Sequence, residues 1–222
     1  MDKKAIIDAY KKLNTSAISD ALDSLSIKER VVGFKPRSTN NKLVGFAYTV
    51  KYAPFEVPAK EFQNAGNYID NVGEDEVIVI DNNGIDWCTT WGGILTQVAQ
   101  KRQINGVVVH GSIRDIDEIR HSQLPIFSQH VFMCSGKNRV QKINEQCSIL
   151  LNKVEVNPGD LIVGDGSGVI FIPKNYITEC LNRAINIENT ETRILKAVLE
   201  ENMTLQVARS KYRYDQPWVE AK

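Results

Sequence analysis

Two short segments carry the residue types that could do chemistry. One is a double glycine followed by two apolar residues at a predicted helix start, namely Gly92, Gly93, Ile94 and Leu95; the other is Arg114-Asp115, with Glu118 three residues later. A helix start offers unpaired N–H groups and a partial positive charge to an anion. Arginine pairs with carboxylates through a planar fork, and aspartate oxygen binds hard divalent cations. If both segments face one pocket, they would hold a small carboxylate beside a metal ion.

The acidic and basic side chains of the second segment allow more than one interpretation. Arg114 and Asp115 would diverge by about 100° on a regular helix, but a strand-to-helix turn lets both line one cleft. Alternatively, Arg114 and Asp115 are a pair of opposite charges on the protein surface with no part in a site. Asp115 and Glu118 share a helix face if that helix begins near Ile113, so both could bind a metal, or one could bind it while the other positions water. Glu118 could instead pair with Arg114 at four-residue spacing.

One α/β unit separates the two segments and positions them. Apolar residues recur at helical spacing from Gly93 onward, and this helix ends before Asn105-Gly106. Residues 107–110 read as a buried strand, as do residues 76–81 before the helix. This order predicts parallel pairing, and the Arg-Asp pair then lies at the carboxyl end of its strand, where ligands bind in open α/β sheets.

The rest of the chain reads as one domain, 1–222, with a helical C-terminal extension over 175–222. Helices are predicted over 3–13 and 17–25, the second capped by Thr15 or Ser16, and over 59–70. Strands are predicted over 43–53 and 125–132, with three more in 154–173, while 133–153 gives no assignment. After residue 175 the pattern indicates one long helix, or two with a break near 202–204. The fold class is therefore α/β.

Other candidate motifs have simpler explanations. The run GDGSG at 164–168 has strand patterns on both sides, so it predicts a hairpin turn and no phosphate loop. The three histidines lack metal-ligand spacing, and His110 at a strand end is expected to pack. Trp87 and Trp91 are expected to pack around the loop before Gly92. The four cysteines lack C-x-x-C spacing, which favours reduced thiols.

Composition excludes several classes of function. The chain has 222 residues, of which 42% are hydrophobic and 24% are charged, as in ordinary globular proteins. Lys+Arg and Asp+Glu both number 27, which disfavours direct binding of nucleic acid by bulk charge. No apolar run has membrane-spanning length, and the N-terminus lacks the apolar core of a signal peptide. We therefore expect a cytoplasmic protein without a membrane partner.

These blocks together resemble the RraA-like proteins, which include class II 4-hydroxy-4-methyl-2-oxoglutarate (HMG) aldolases that also decarboxylate oxaloacetate. The family pattern is a glycine or acidic residue, twenty residues, Arg-Asp, two residues and an acidic residue. Gly93, Arg114, Asp115 and Glu118 match its glycine version. The blocks WGGIL, GVVVHGSIRD, LPIFSQ and PGDLIVGDGSGVIFIP are similar to family blocks, so the resemblance covers roughly residues 13–175.

The resemblance implies a swivelling β/β/α fold like that of phosphohistidine domains, and homotrimers or homohexamers with active sites at subunit interfaces. It implies that backbone groups of Gly92, Gly93, Ile94 and Leu95 hold a pyruvyl carboxylate. Arg114 would contact the pyruvyl part of the substrate, and Asp115 would bind Mg²⁺ or Mn²⁺. A glutamate from a neighbouring subunit's C-terminal region would orient water, and Glu188 and Glu191 are the candidates.

The implied activity is metal-dependent cleavage of a C–C bond in a short 2-keto acid, which releases pyruvate through a metal-stabilised enolate. A departing ketone makes this a retro-aldol cleavage, and departing CO₂ makes it a decarboxylation. Gly93 stands where some HMG aldolases carry an acidic residue. This difference argues against HMG as the substrate more than it argues against the enolate chemistry. The alternatives are a non-catalytic regulator that binds a ribonuclease, and a same-fold enzyme for another sugar acid or specialised metabolite.

Overall fold

A mixed ten-stranded sheet forms the centre of the fold. The structure is a computed structural model that describes residues 2–27, 30–31, 33–40, 42–56 and 66–218. The sheet contains β1 (Arg30–Val31), β2 (Lys35–Pro36), β3 (Leu43–Pro54), β4 (Glu76–Asp81), β5 (Thr89–Trp91), β6 (Gly106–Ile113), β7 (Ile126–Val131), β8 (Val140–Glu145), β11 (Leu161–Asp165) and β12 (Gly168–Ile172). The remaining strands, β9 (Ile149–Leu151) and β10 (Val154–Val156), form a separate antiparallel pair.

Six α-helices lie in the described ranges. They are α1 (Lys3–Tyr10), α2 (Thr15–Ser24), α3 (Gly93–Lys101), α4 (Ile116–Arg120), α5 (Ile177–Leu199) and α6 (Leu205–Lys211), with short 3-10 helices at Asn67–Asn71 and Lys174–Tyr176. None of the helices that the structure describes is long and apolar enough to cross a membrane.

The central strands are parallel and are buried on both faces. The strand order β1-β12-β11-β3-β4-β6-β7-β2 places β4 between β3 and β6, and β3, β4, β6 and β7 pair in parallel. Along β4, Val77 and Val79 face one core cluster, whereas Ile78 and Ile80 face another. A strand covered on both faces needs apolar residues at every position, which explains the continuous run EVIVID.

Each face of the sheet has its own cover. The face of Ile78 and Ile80 packs against α3, α4 and the 3-10 helix at Asn67–Asn71. The opposite face packs against β9 and β10. Helices α1, α2 and α5 form a further cluster against the β3–β11–β12 part of the sheet. The site described below lies at the carboxyl ends of β5 and β6, on the α3 side.

Several predictions from the sequence are confirmed. The parallel α/β unit, the helix from Gly93 and the buried strand β4 are present as predicted. The DGSG segment is the turn of the β11–β12 hairpin, in which Asp165 pairs with Gly168. The C-terminal helical region breaks at residues 200–204, between α5 and α6.

The predicted cap of the second helix is wrong. Thr15 and Ser16 both lie inside α2, and Asn14 is its N-cap. The Thr15 N–H and hydroxyl both donate to the Asp165 carboxylate, at 2.9 and 2.8 Å. Because an acceptor from the β11–β12 turn satisfies the helix start, the helix needs no cap from its own sequence.

Other boundaries also differ. The strand predicted over 107–110 continues to Ile113, because β5 and β7 pair with its last residues. The predicted helix over 59–70 lies mostly outside the described residues, and its described end is the 3-10 helix Asn67–Asn71. The unassigned stretch 133–153 contains β8 and β9, which are held by pairing with β3 and β10 rather than by local pattern.

Candidate active site

Parallel pairing of β5 and β6 brings the two segments of the motif together. Trp91 ends β5 and pairs with Ile113 at the end of β6, and the Arg114 N–H donates to the Trp91 carbonyl at 3.1 Å. The residues that follow β5 and β6 therefore lie next to each other at one edge of the sheet. On one side this is Gly92, the N-cap of α3, and on the other it is the Arg114-Asp115 pair.

Asp115 turns its carboxylate back toward α3 through a left-handed backbone conformation. Its φ is 58° and its ψ is 41°, and the following helix begins at Ile116, so the condition of a helix start near Ile113 is not met. A non-glycine residue in this region costs free energy, although aspartate tolerates it better than most. The turn separates Asp115 from the helix periodicity, so both members of the Arg-Asp pair can line one cleft.

The Asp115 carboxylate is held from two directions. Its Oδ2 accepts a hydrogen bond from the Gly93 N–H at 2.9 Å, and Arg114 Nε lies 3.6 Å from the same oxygen. Both side chains are less than half exposed. The ion pair of Arg114 is thus formed with Asp115, and the alternative pairing with Glu118 is wrong. Within the described residues, Asp115 Oδ1 accepts no hydrogen bond, so this oxygen is available to a ligand.

The two carboxylates lie close against both glycines. A Cβ at Gly92 would lie 2.7 Å from Asp115 Oδ2, and one at Gly93 would lie 2.3 Å from Glu118 Oε2. Side chains do not approach so closely, so any other residue would displace a carboxylate. In this chain the carboxylate of Glu118 therefore occupies the space into which a side chain at position 93 would project.

Glu118 is oriented by a residue that sequence reasoning missed. Gln97 Nε2 donates to Glu118 Oε1 at 2.5 Å. Gln97 lies one turn after Gly93 on α3, so the same helix face contacts both carboxylates. The four-residue spacing between Gly93 and Gln97 is the feature of the sequence that could have identified Gln97. The other oxygen of Glu118, Oε2, is the atom that lies over Gly93.

The start of α3 keeps two N–H groups for an anion. The Gly93 N–H donates to Asp115 Oδ2 and is engaged within the protein, while the binding of a carboxylate by this block stays a prediction. In the described part of the chain, the N–H groups of Ile94 and Leu95 have no acceptor, and both residues line the adjoining cavity. A carboxylate placed there would also meet the positive end of the helix.

These groups border a cavity of about 370 Å³. Its lining includes the motif residues Gly92, Gly93, Ile94, Leu95, Arg114 and Asp115. It also includes residues that the sequence did not point to, namely Tyr52 from β3, Thr89 and Thr90 from β5, and Ser135, Lys137 and Val140 from the previously unassigned stretch. These residues come from distant parts of the chain, so no local pattern identifies them.

The donor set at the site fits a hard divalent cation held by few protein atoms. No cluster of three or more His, Cys, Asp or Glu residues suited to a metal occurs among the described residues. The protein would therefore contribute the single Asp115 Oδ1, with water and substrate oxygens completing the ligands. Mg²⁺ is commonly bound in this way, through one or two carboxylates, several waters and the substrate.

The C-terminal glutamates do not line the cavity of their own chain. Glu188 Oε1 accepts the Asn14 N–H at 2.7 Å, just before α2. Burial raises the pKa of Glu191, and the nearby charges of Asp20 and Glu188 raise it further. A contribution of either glutamate to a neighbouring subunit's site therefore stays a prediction.

The remaining candidates behave largely as structural residues. His110 is buried, with Nδ1 2.9 Å from Asp81 Oδ1, which confirms that it packs. Trp91 is also buried, and its Nε1 donates to Thr96 Oγ1 at 2.9 Å. Trp87 is 46% exposed, so the expectation that it packs around the loop is only partly right. All four cysteines are free thiols.

Known proteins share this fold and much of this sequence. Residues 15–171 match the family model described as RraA-like, Aldolase/RraA. Protein DlpA of Legionella pneumophila is 47% identical over 206 residues, which are 93% of this chain and 33% of DlpA. This chain therefore spans about a third of that relative's length.

Two further proteins match most of both chains. A candidate 4-hydroxy-4-methyl-2-oxoglutarate aldolase of Halalkalibacterium halodurans is 34% identical over 181 residues, which are 80% of this chain and 81% of that protein. A solved structure from Pseudomonas syringae pv. tomato has a TM-score of 0.86 at 38% identity and covers 94% of each chain.

Proposed function

The chain belongs to the RraA-like family, and on this premise we propose that it is a divalent-metal-dependent lyase that cleaves a C–C bond of a short 2-keto acid and releases pyruvate. The observation that carries the proposal is the convergence of three groups on one cavity. These are the start of α3, the Arg114 guanidinium and the Asp115 carboxylate. The name of the Halalkalibacterium relative supports the same class of reaction.

The start of α3 binds the substrate carboxylate. The N–H groups of Ile94 and Leu95 are directed out of the first turn, where they satisfy carboxylate oxygens and add the favourable helix dipole. This contact fixes the 2-keto end of the substrate beside Arg114 and Asp115. The scissile bond then extends into the cavity.

Asp115 Oδ1 is the oxygen that would hold Mg²⁺ or Mn²⁺. When bound, such a cation supplies Lewis-acid polarisation of the 2-keto group. The Gly93 N–H and Arg114 both engage Oδ2, so they fix the direction of the other oxygen. This arrangement orients the Asp115 carboxylate before substrate arrives.

Arg114 stabilises the charge that develops during cleavage. Breaking the bond between C3 and C4 leaves an electron pair on the pyruvyl fragment as an enolate. The Arg114 guanidinium at the carboxyl end of β6 would lie beside the enolate oxygen and offer it hydrogen bonds and a positive charge. Gln97 orients Glu118, which would hold a water molecule. In the retro-aldol reaction this water would carry a proton from the hydroxyl of the departing fragment to C3.

We further propose that the active form is a homotrimer or homohexamer. Ile94 at the cavity and Met133 beyond β7 are 77% and 75% exposed, which suits a face covered by another subunit. Light scattering of the purified chain tests this proposal, and a monomer at micromolar concentration would contradict it.

Pyruvate release tests the proposed reaction. The purified chain is incubated with Mg²⁺ or Mn²⁺ and with oxaloacetate, HMG and other 2-keto acids. We expect release that EDTA abolishes and that Arg114→Ala or Asp115→Ala lowers at least 100-fold. Asp117→Ala is the matched control, because Asp117 is 94% exposed on the same turn and should keep full activity.

The result also separates the proposal from a regulatory role. Activity that survives both substitutions would overturn the site assignment. No pyruvate from any substrate, together with saturable binding to a ribonuclease, would replace the lyase with a regulator.

A further inference from the structure

Thr90 is a buried residue of β5 whose hydroxyl is unpaired. It lines the cavity and is 8% exposed, and its Oγ1 has no hydrogen-bond partner among the residues that the structure describes. The polar side chains on either side of it are paired. The Thr89 hydroxyl donates to the Cys134 carbonyl at 3.1 Å, and Trp91 Nε1 donates to Thr96 Oγ1 at 2.9 Å. The hydroxyl of Thr90 is therefore an exception within its own strand.

An unpaired hydroxyl at this position costs stability. A buried hydroxyl that makes no hydrogen bond loses the hydration that it has in the unfolded chain. Valine has nearly the same shape, would avoid this cost and is also a strong strand former. Side chains that reduce the stability of the fold in this way are expected at functional sites. Thr90 is therefore a candidate for a hydrogen bond that forms only with a ligand.

The strand pairing is irregular at Thr90. Thr89 pairs with Ser112 and Trp91 pairs with Ile113, so β5 has one residue more than β6 at this point. Such a bulge changes the direction of a side chain, and bulges are common beside active sites. Rotation about the Cα–Cβ bond moves the threonine hydroxyl between staggered positions, so the hydroxyl can turn to a ligand group that enters the cavity.

Thr90 is also close in the chain to the groups that would hold the substrate. Gly92, the N-cap of α3, follows two residues later, and two residues of chain span at most about 7 Å. In the proposed function the substrate carboxylate lies at the start of α3, and the 2-oxo group lies beside Arg114 and Asp115. The oxygen on C4 is the remaining polar group of the substrate, and no donor is assigned to it.

We propose that the Thr90 hydroxyl donates a hydrogen bond to the oxygen on C4 of the substrate and so selects 2-oxo acids that carry such an oxygen. This inference rests on the proposed function and names a specificity-determining residue for it. A ligand oxygen bound there gives the hydroxyl the partner that it lacks in the free protein. An analogue without that oxygen leaves the hydroxyl unpaired, so the site discriminates against it.

Thr90→Val tests the hydrogen bond with almost no change of shape. The full chain with Mn²⁺ is assayed for pyruvate release from 4-hydroxy-2-oxobutanoate. The competitive inhibitor is 2-oxobutanoate, which has the same carbon chain without the oxygen on C4. In Thr90→Val we expect kcat/KM to fall about tenfold and the inhibition constant of 2-oxobutanoate to stay within about twofold of the parent value. Thr90→Ser keeps the hydroxyl and should retain most of the parent's kcat/KM.

Unfolding in urea provides a measurement that does not depend on activity. Because Thr90→Val removes an unpaired hydroxyl, its urea midpoint should equal that of the parent or exceed it. Thr89→Val should lower the midpoint, because the Thr89 hydroxyl is paired. Thr190→Val is the matched control for the kinetics and should keep the parent's kcat/KM and inhibition constant. Thr190 is also 8% exposed, but it lies on α5 and outside the cavity lining.

Failure of this inference is distinguishable from failure of the proposed function. Pyruvate release with an unchanged kcat/KM in Thr90→Val overturns the role of Thr90 and keeps the proposed function. A lower urea midpoint in Thr90→Val, or an equal weakening of inhibition by 2-oxobutanoate, also overturns that role, since the hydroxyl would then be structural. No pyruvate from any substrate overturns both.

Discussion

The Asp115 carboxylate accepts a hydrogen bond from the backbone N–H of Gly93, twenty-two residues earlier in the chain, at 2.9 Å. This contact links the two halves of the motif directly. It removes one N–H from the anion site at the start of α3 and fixes the oxygen that faces a cation. The spacing between the two residues is the length needed for α3 and β6 to bring the chain back to the same point.

Replacing Gly93 by alanine should lower activity without unfolding the protein. The new Cβ would lie 2.3 Å from Glu118 Oε2, so the glutamate must move, whereas the helical backbone itself favours alanine. We expect kcat/KM for pyruvate release to fall at least tenfold and the urea midpoint to stay within experimental error of the parent.

A double-mutant cycle isolates the cause of that loss. In a Glu118→Ala background, Gly93→Ala should have no further effect, because the clash is gone. Gly73→Ala is the control, since its Cβ would meet nothing closer than 3.5 Å. Additive losses in the double variant would show that Gly93 acts independently of Glu118.

The left-handed conformation of Asp115 predicts an unusual order of stabilities. At φ of 58°, alanine is strained and glycine is not, so Asp115→Gly should be more stable than Asp115→Ala by about 1 kcal/mol. Urea unfolding of the two variants measures the difference. At Asp117, which lies within α4, the order should reverse, because glycine is the poorer helix former there.

Gln97→Glu should change the pH dependence of catalysis. The substitution puts a second carboxylate in contact with Glu118, where the parent has a hydrogen bond of 2.5 Å. Two carboxylates at that distance share a proton, so their apparent pKa rises. The pH below which activity falls should therefore move upward by about one unit.

Gln97→Met serves as the uncharged comparison for this experiment. It should lower kcat/KM by loss of orientation but leave the midpoint of the acid limb in place. An unchanged pH profile in Gln97→Glu would exclude Glu118 from the proton-transfer step.

Asp165 should stabilise the fold at neutral pH and lose this effect in acid. Burial alone would raise its pKa, but hydrogen bonds from the Thr15 N–H, the Ser167 N–H and the Thr15 hydroxyl, with help from Lys42, lower it below the usual value. Because the folded pKa is the lower one, the stabilisation is complete above the unfolded pKa of about 4 and disappears as pH falls through the folded pKa.

Asp165→Asn should therefore reduce the free energy of unfolding by about 1–2 kcal/mol at pH 7. The difference from the parent should shrink in urea titrations below pH 4. Asp117→Asn, at an exposed site, should be neutral at both pH values. If the difference in the free energy of unfolding between the parent and Asp165→Asn were the same at all pH values, the charge of Asp165 would not be the source of the stabilisation.

Much of the fold was accessible from the sequence because its signals are local. The continuous apolar run of β4 predicts a strand that is buried on both faces. The spacing of apolar residues after Gly93 predicts a helix, and the turn residues between β11 and β12 predict a hairpin. The family resemblance carried by these blocks is confirmed by the match over residues 15–171. The sequence did not identify elements whose boundaries depend on pairing with a distant strand. One example is β8, which forms because β3 offers it an open edge.

The sequence by itself determined which residue types stand at which spacing, and hence that a helix start, Arg114 and Asp115 would meet at one edge of a parallel sheet. Only the tertiary structure decided how they divide the contacts. The turn at Asp115 is left-handed, Gln97 orients Glu118, and carboxylates from another element lie against both glycines. Tyr52 and Val140 join the cavity for the same reason. They lie far from the motif in sequence, and distances between separate elements depend on packing, which no local pattern encodes.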